Sequence, residues 1–308
     1  MIHLQNVSAQ RVSWVKSNKE ALEKHADAIK NLYYPENIDE LTELVKNFYK
    51  NNIKFDIIGY SSNTLFLPTY SIDHLICTKK LDNWVETTDT IVCDCGVNVA
   101  KLAKGMVRKG YKGFYGLVDI PGTIASGVYG NCGCYNCLVC DLLVSFTLLT
   151  KEGSIRTLHV GDLKLKNRST ALKRHEIGGI ILQVVLKKTK GTASIEISKA
   201  AKVHNERRAT QPNAANNLGT TFLGDIKTLK MKAIILTTKI IRVLTLQSHS
   251  KSLKFALSLF GGSKYVKYLF FINRYMFYDA ESHKLFPKYI RFMKTLYKDS
   301  HLEIEIRK

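Results

Sequence analysis

The chain has 308 residues with a net charge of +20, and 45% of them are hydrophobic, which excludes an intrinsically disordered protein and leaves room for two or three domains. The opening stretch MIHLQNVSAQRVSW lacks the apolar core of a signal peptide, and no apolar run is long enough to cross a bilayer. We therefore expect a cytoplasmic protein, in a reducing compartment where its seven cysteines are free thiols or metal ligands.

The segment from residue 35 to 59 predicts a helix followed by a strand. Asn37 can cap the helix together with Glu40, three residues later, as in a capping box. The apolar side chains that then fall on one helical face are Leu41, Leu44, Val45 and Phe48. The strand FDII follows and delivers a loop of small residues, GYSSNTL, that begins at Gly59.

A second helix follows the strand IVCDCG. Asn98 can cap this helix, and Gly110 ends it. Next comes a long glycine-rich loop over residues 116–137. Beyond it, LLVSFTLLTKEGSIRTL predicts a hairpin that turns at Lys-Glu-Gly, and another apolar strand is predicted over about 177–188.

The C-terminal part of the chain is strongly basic. Residues 223–308 carry 17 Lys/Arg against 6 Asp/Glu, a surplus of 11 positive charges. This bias favours an anionic partner, such as a nucleotide pyrophosphate or an acidic membrane surface touched peripherally, although a solvated basic surface explains it equally well. No zinc-finger, RNP or basic-zipper pattern accompanies the charge, so we expect no nucleic-acid partner.

The same part of the chain predicts an amphipathic helix near residues 281–298. The stretch HLEIEIRK then predicts a short alternating strand. Over the whole chain, the order of helices and strands is that of an α+β protein rather than of a repeated βαβ array.

Two loops of small residues follow strands, as in proteins that bring backbone amides close to a pyrophosphate. One covers residues 59–63 and the other 121–134, and neither has the spacing of a Rossmann or P-loop motif. The second runs into NCGCYNCLVC, where CxC and CxxC spacing joins the cysteines Cys132, Cys134, Cys137 and Cys140. On spacing alone, this stretch could hold zinc or an iron–sulfur cluster.

Six short motifs resemble, in order, those of the UDP-N-acetylenolpyruvoylglucosamine reductases, also called UDP-N-acetylmuramate dehydrogenases. The string IPGTIASGVYGNCGCY resembles the flavin-binding signature of that family, and GYSSNTL resembles its loop G-G-G-S-N-L-L. Four further motifs are matched by NRST at 167–170, RRATQP at 207–212, NLGTTF at 217–222 and LEIEIR at 302–307.

The resemblance implies an α+β fold with a two-part FAD-binding domain of the vanillyl-alcohol oxidase/p-cresol methylhydroxylase type and a smaller α+β substrate-binding domain. Residues 1–222 would form the FAD-binding domain, in subdomains of about 1–75 and 76–222, and the basic residues 223–308 the substrate-binding domain. The residues implied to bind FAD are Gly59, Tyr60, Ser61, Ser62, Asn63, Thr64, Pro121, Gly122, Thr123, Ser126, Gly127, Asn131, Gly133, Cys134, Tyr135 and Ile181.

The resemblance also changes the interpretation of the cysteines. Asn131, Gly133 and Tyr135 fall on the flavin loop, so Cys132 and Cys134 are expected to pack beside the cofactor as small apolar side chains. No metal is then expected at this stretch. A covalent link between Cys134 and the flavin is a less favoured alternative.

The family's reaction implies roles for three further residues. NADPH reduces the flavin, which passes a hydride to the enolpyruvyl double bond of a nucleotide-linked sugar in cell-wall synthesis. By position, Arg168 and Glu305 would stabilise the charge that develops at the substrate carboxylate, and Thr220 would protonate the neighbouring carbon. A related sugar of a surface polysaccharide is an equally good substrate on this argument.

The sequence departs from the family pattern on the substrate side. Thr220 stands where the family has Ser, and FLGD follows where the family has F-K-N-P. The family's N-terminal T-T-[FW]-x-x-G-G element and its stretch A-G-x-L-I-[ED]-x-x-G-L-K-G are not recognisable. The alternative is therefore a non-catalytic relative that binds nucleotide sugars or glycans as a basic scaffold. The sequence leaves the sugar, the electron donor or acceptor and the oligomeric state open.

Overall fold

The computed structural model describes residues 28–67, 69–211, 217–223, 226–268, 282–298 and 301–308. In chain order, the elements up to the second sheet are β1 (Ile29–Tyr33), α1 (Ile38–Lys50), β2 (Phe55–Ile58), β3 (Thr64–Phe66), β4 (Ile72–Cys77), β5 (Trp84–Glu86), β6 (Thr90–Asp94), α2 (Val99–Arg108), α3 (Ile124–Gly130), β7 (Gly133–Cys134), β8 (Cys137–Leu138) and α4 (Val139–Leu142). The later ones are β9 (Leu143–Leu149), β10 (Ile155–His159), β11 (Ile180–Lys187), α5 (Ala193–Thr210), β12 (Phe222–Leu223), α6 (Leu229–Thr245), α7 (His249–Leu257), α8 (Ser282–Leu296), β13 (His301–Leu302) and β14 (Glu305–Arg307).

The described chain divides into two compact units. Unit 1 contains residues 28–61 and 71–209, and unit 2 contains the described residues of 62–70 and 210–308. The domain boundary predicted at residue 222 concerns separately folding domains rather than compact units, and it stays a prediction. The stretch searched for the family's N-terminal element, residues 8–25, lies outside the described residues.

Unit 1 is built on two sheets. Strands β1, β4 and β2 form a parallel sheet in that order, and β10, β9, β11, β6 and β5 form an antiparallel one. The predicted hairpin is β9 and β10, and Gly153 in its turn has a φ of +81°, a conformation that favours glycine. One apolar core joins α2, α3 and the antiparallel sheet, and a second packs α1 against the parallel sheet.

The predicted caps of the first two helices are confirmed. Asn37 Oδ1 accepts the Glu40 N–H at 2.9 Å, and Asn98 Oδ1 accepts the Lys101 N–H at 2.9 Å. The Glu40 carboxylate, however, accepts from the N–H of Glu36 at 3.0 Å, one residue before the cap, instead of closing the predicted capping box. The four apolar residues predicted for one face of α1 are buried.

Unit 2 packs α6, α7 and α8 around an aromatic core. Tyr289 lies at its centre, with its ring edge-on to Phe222 and Tyr265 at centroid distances of 6.4 and 5.8 Å. Two short strand pairs complete the unit: β12 pairs antiparallel with β13, and β14 pairs parallel with β3. Within the described ranges, no helix is long and apolar enough to cross a membrane.

The structure corrects three sequence-based expectations. The glycine-rich loop over 116–137 contains helix α3 and the tight hairpin β7–β8. The C-terminal alternating strand is two strands with different partners. The sequence predicts no element over residues 189–280, where α5, α6 and α7 lie, because none of these helices has the single apolar stripe of a surface helix.

Candidate flavin site and catalytic residues

The two predicted flavin loops meet in unit 1 where Gly59 faces Thr123. A Cβ at position 59 would lie 2.5 Å from Thr123 Cγ2 and 2.8 Å from Thr123 Oγ1. Only glycine therefore fits beneath the Thr123 side chain. This contact fixes the end of β2 against the start of α3, and it places the loops beginning at Gly59 and Pro121 side by side.

Thr123 also organises the start of α3. Its hydroxyl oxygen accepts the N–H of Ser126 at 3.3 Å, and Ser126 Oγ accepts the N–H of Thr123 at 3.1 Å. The Thr-x-x-Ser spacing is the signal that could have revealed this helix despite its glycines. Ser126, predicted to bind FAD, thus has a structural role in the cap.

The first amides of α3 are occupied by the protein itself. Ile124 N–H donates to Val97 O at 2.8 Å, and Ala125 N–H donates to Cys95 O at 3.2 Å. The Ser126 N–H donates to Thr123. Because all three amides already have partners within the protein, the N-terminus of α3 is not available to bind a phosphate. Backbone donors for a pyrophosphate must come from the loops that precede it.

Each of those loops contains a residue with a positive φ. Ser61 has a φ of +53° and Gly122 a φ of +120°. Left-handed residues in short loops create concave arrays of N–H groups, which bind anions. Together with the close approach at Gly59, this local geometry of unit 1 fits a dinucleotide such as FAD held by residues 59–61 and 121–123.

Asn131 ends α3 in the left-handed conformation, with a φ of +46°, and its side chain is buried. Its Nδ2 donates to Lys166 O at 3.5 Å, whereas its Oδ1 has no hydrogen-bond partner among the described residues. A buried acceptor without a partner is costly, so Asn131 Oδ1 is suited to receive a hydrogen bond from a bound cofactor.

Arg168 forms hydrogen bonds to the predicted flavin loop at residues 121–134. It lies at the tip of a tight turn between Lys166 and Ser169, and its guanidinium donates to Gly133 O at 2.5 Å and to Asn131 O at 3.5 Å. Arg168 is half-buried, unlike the solvated arginine that its basic sequence neighbourhood suggests. These hydrogen bonds join the turn at residues 166–169 to a loop 35 to 37 residues earlier in the chain, so local sequence does not predict them.

The cysteine-rich stretch folds as a two-residue hairpin. Cys134 and Cys137 are paired across β7 and β8, and Tyr135 and Asn136 form the turn with φ values of +51° and +60°. Two successive positive φ values define a type I′ turn, which matches the twist of the strands. Tyr135 thus lies in the turn of the hairpin, and Cys134 flanks it.

Two thiols of this stretch, those of Cys137 and Cys140, are buried. Burial raises the pKa of the Cys137 thiol, and burial raises the pKa of Cys140 to about 12. A metal needs thiolates, and within the part of the chain that the structure describes, no three His, Cys, Asp or Glu side chains converge as a metal would require.

The sequence gives no sign of a polar cluster that lies next to the hairpin. Tyr115 hydrogen-bonds the Cys137 thiol and donates to Tyr135 O at 3.4 Å. Buried Glu196 of α5 receives Lys199 Nζ on Oε1 at 2.8 Å, while its Oε2 has no partner among the described residues. Lys199 Nζ also lies 5.3 Å from the centre of the Tyr115 ring. These contacts support the hairpin from α5, whose sequence pattern gave no sign of them.

In unit 2, strand pairing brings predicted catalytic and flavin residues together. Glu305 is in register with Thr64, because β14 runs parallel to β3, and the Glu305 N–H donates to Asn63 O at 2.8 Å. The Asn63 side chain in turn donates to Glu303 O at 3.0 Å. Glu305 is therefore fixed beside the second half of the loop GYSSNTL.

Thr220 is next to a backbone segment that pairs with residues 301–303, just before Glu305. It comes just before β12, and the Glu303 N–H donates to the carbonyl of the next residue, Thr221, at 3.0 Å. Thr221 is fully buried, and its hydroxyl has no partner among the described residues. The predicted catalytic residues are thus distributed over both units: Glu305 and Thr220 share unit 2 with Ser62–Thr64, and Arg168 belongs to unit 1 with the other predicted FAD residues. Among these, Ile181 is a buried core residue of β11.

The contact between Gly59 and Thr123 can be tested by substitution. We expect Gly59→Ala to lower the stability by about 1–3 kcal/mol, because the added methyl group overlaps Thr123 and displaces the cap of α3. FAD content after purification should fall in parallel. Denaturant unfolding and flavin absorbance measure the two effects.

Two variants make this test specific. Thr123→Ser in the Gly59→Ala background removes the nearest overlapping carbon but keeps the hydroxyl, and should restore part of the loss. Gly105→Ala in α2, where a Cβ meets nothing within 4 Å, should instead stabilise the protein by roughly 0.5–1 kcal/mol. Equal effects of Ala at 59 and 105 would contradict the proposed contact.

Thiol alkylation should distinguish the cysteines of the hairpin region. Half-buried Cys132 and Cys134 are expected to react with iodoacetamide before Cys137 and Cys140, whose thiols are buried and protonated. Labelling of Cys140 should stay slow throughout the alkaline range in which the protein remains folded, as followed by peptide mass spectrometry. Faster labelling of Cys140 than of Cys134 in the folded protein would show that the described packing is wrong.

Known proteins resemble this chain in sequence and in fold. Residues 29–159 match the model of an FAD binding domain family. A UDP-N-acetylenolpyruvoylglucosamine reductase of Caldicellulosiruptor saccharolyticus is 28% identical over 193 residues, which cover 62% of each chain. One from Streptococcus pneumoniae is 29% identical over 191 residues, covering 62% of this chain and 63% of the relative.

A solved structure extends the likeness to the whole chain. The UDP-N-acetylenolpyruvylglucosamine reductase of Thermus caldophilus superimposes over 100% of both chains with a TM-score of 0.66 at 17% identity. At that identity the match shows the fold, and the predicted α+β fold with an FAD-binding domain of the vanillyl-alcohol oxidase type is confirmed. The sequence alignments, by contrast, span less than two thirds of the curated relatives. The chain therefore contains an FAD-binding domain and resembles the UDP-N-acetylenolpyruvoylglucosamine reductases in sequence and fold.

Proposed function

We propose that the chain is a flavin-dependent reductase that takes a hydride from NADPH and adds it to the enolpyruvyl double bond of a UDP-linked sugar in peptidoglycan precursor synthesis. The observation that carries the proposal is the register of Glu305 with Thr64. It fixes the backbone of the residue that the family resemblance assigns to catalysis beside the loop that it assigns to the flavin. Bound FAD would supply the hydride transfer.

The chain's own groups then account for the remaining chemistry. The guanidinium of Arg168 and the acid of Glu305 would stabilise negative charge as it develops at the substrate carboxylate, which is the largest contribution that fixed polar groups make to such reactions. Arg168 has a second role in this proposal, because it also holds the carbonyls of Asn131 and Gly133.

Thr220 is the proposed proton donor. A hydroxyl can deliver a proton to carbon only from a fixed position, and the pairing of β12 with β13 holds the backbone next to Thr220 in place. Threonine is more restricted in χ1 than the serine of the family pattern, so the hydroxyl has fewer orientations. The adjacent Thr221 offers a matched control, because it differs in position but not in chemistry.

The substrate and compartment follow from the same proposal. A UDP-linked sugar is anionic, which suits the positive charge of residues 223–308, and it is made and used in the cytoplasm. The surplus of 11 positive charges in that segment supports an anionic substrate without selecting the sugar. A related sugar of a surface polysaccharide remains the closest alternative substrate.

Purification tests the flavin chemistry directly. We expect a yellow protein whose flavin absorbance is bleached by NADPH under anaerobic conditions and restored by UDP-N-acetylenolpyruvoylglucosamine. Flavin released by acid precipitation would exclude the covalent link to Cys134. A colourless protein that cannot be loaded with FAD would overturn the proposal in favour of a non-catalytic glycan-binding relative. Reoxidation by oxygen alone would leave the reductase but reject this sugar.

Four variants test the assigned residues. Glu305→Gln and Thr220→Val should lower substrate-dependent flavin reoxidation at least about tenfold while FAD content stays at the wild-type level. Arg168→Ala should lower the reoxidation rate similarly and also weaken FAD retention, because Arg168 holds the flavin loop. Thr221→Val should leave the rate unchanged. Equal rates for the Thr220 and Thr221 variants would reject Thr220 as the proton donor.

A further inference from the structure

The segment 226–268 of unit 2 has an unusual charge composition. It contains nine Lys/Arg and no Asp or Glu, and it forms α6, α7 and the turns that follow them. We call this segment the basic helix pair. Helices α6 and α7 pack on each other, and α6 is 17 residues long, or about 25 Å.

Helix α6 is apolar on two opposite faces. Met231, Ile234 and Thr238 face the core of unit 2 and are buried. On the far side, a second apolar row is between 49% and 84% exposed and consists of Leu229, Leu236, Ile240, Val243 and Leu244. At 100° per residue, these five side chains fall within an arc of about 120°. We call this row the outer stripe.

Cations border the outer stripe. Lys232 and Lys239 are exposed and project next to it on one side of the helix. Further exposed apolar side chains lie directly after α6 at Leu246, within α7 at Phe255 and just beyond α7 at Leu259. An exposed apolar row of this size on a folded protein marks a contact surface, because scattered single residues do not explain it.

The charge composition selects among the candidates for that contact. A second copy of the chain would bring the same cations against each other, which is unfavourable. A nucleic acid would neutralise the lysines but leave the apolar row uncovered. An anionic lipid surface satisfies both features, since acyl chains receive the apolar side chains and headgroups attract the flanking cations.

We propose that the outer stripe of α6 inserts into the interfacial layer of an anionic lipid bilayer, with Lys232 and Lys239 at the headgroups. The helix then lies in the plane of the membrane and does not cross it. Burial of the large apolar side chains and attraction of the lysines to anionic headgroups both favour reversible binding. The proposal does not depend on the flavin reaction.

Vesicle flotation of the full chain tests the proposal. We expect binding to vesicles of phosphatidylcholine with phosphatidylglycerol and much weaker binding to phosphatidylcholine alone. The double variant Leu236→Gln with Val243→Gln should reduce partitioning at least about tenfold. Lys232→Gln with Lys239→Gln should reduce it roughly tenfold, and added salt should abolish most of this difference.

A matched control separates the stripe from general surface hydrophobicity. Val85 of β5 in unit 1 is 64% exposed, and Val85→Gln should leave vesicle binding unchanged. FAD content and circular dichroism verify that each variant is folded. Equal binding of wild type and the double glutamine variant would overturn the proposal. So would the absence of vesicle binding, including the case in which the outer stripe instead supports a concentration-dependent dimer.

Discussion

The close approach of Gly59 to Thr123 is the constraint on which the candidate flavin site depends. It joins the parallel sheet to the helix α3, and a single methyl group at position 59 would not fit. Thr123 can hold this position because its hydroxyl also caps α3 and because the neighbouring amides are fixed by Val97 and Cys95. One threonine thus determines both where the two loops meet and which backbone donors remain for a pyrophosphate.

Elements with a strong local signal could be predicted from the sequence. The Asn37 and Asn98 caps and the Lys-Glu-Gly turn each rest on residues within one or two turns of each other, so the local sequence contains the whole argument. Helix α6 was missed because apolar residues occupy both its faces, which removes the periodicity that identifies a surface helix. Helix α3 lacks a clear helical pattern because it contains two small residues and two glycines, although Thr123 and Ser126 form its cap.

The candidate site was predictable only as a set of motifs. The family resemblance assigns Glu305 to catalysis and Thr64 to flavin binding. No local pattern, however, shows that two residues so distant in sequence lie in register. The four closely spaced cysteines show the converse case, in which a local pattern suggests a site. Their spacing suggested a metal, whereas the type I′ turn at Tyr135 and Asn136 pairs Cys134 with Cys137 across a hairpin backed by Tyr115. Spacing along the chain does not specify convergence in space.

The pairing of β14 with β3 has a consequence for how the protein is made. Asn63 and Glu303 are separated by 240 residues, and loop closure over such a distance is slow because its entropy must be lost before the contact forms. During synthesis, Thr64–Phe66 has no parallel partner until residues beyond 300 leave the ribosome. Unit 2 therefore completes its sheet only after unit 1 has been translated, and the loop from Gly59 to Thr64 reaches its final form late.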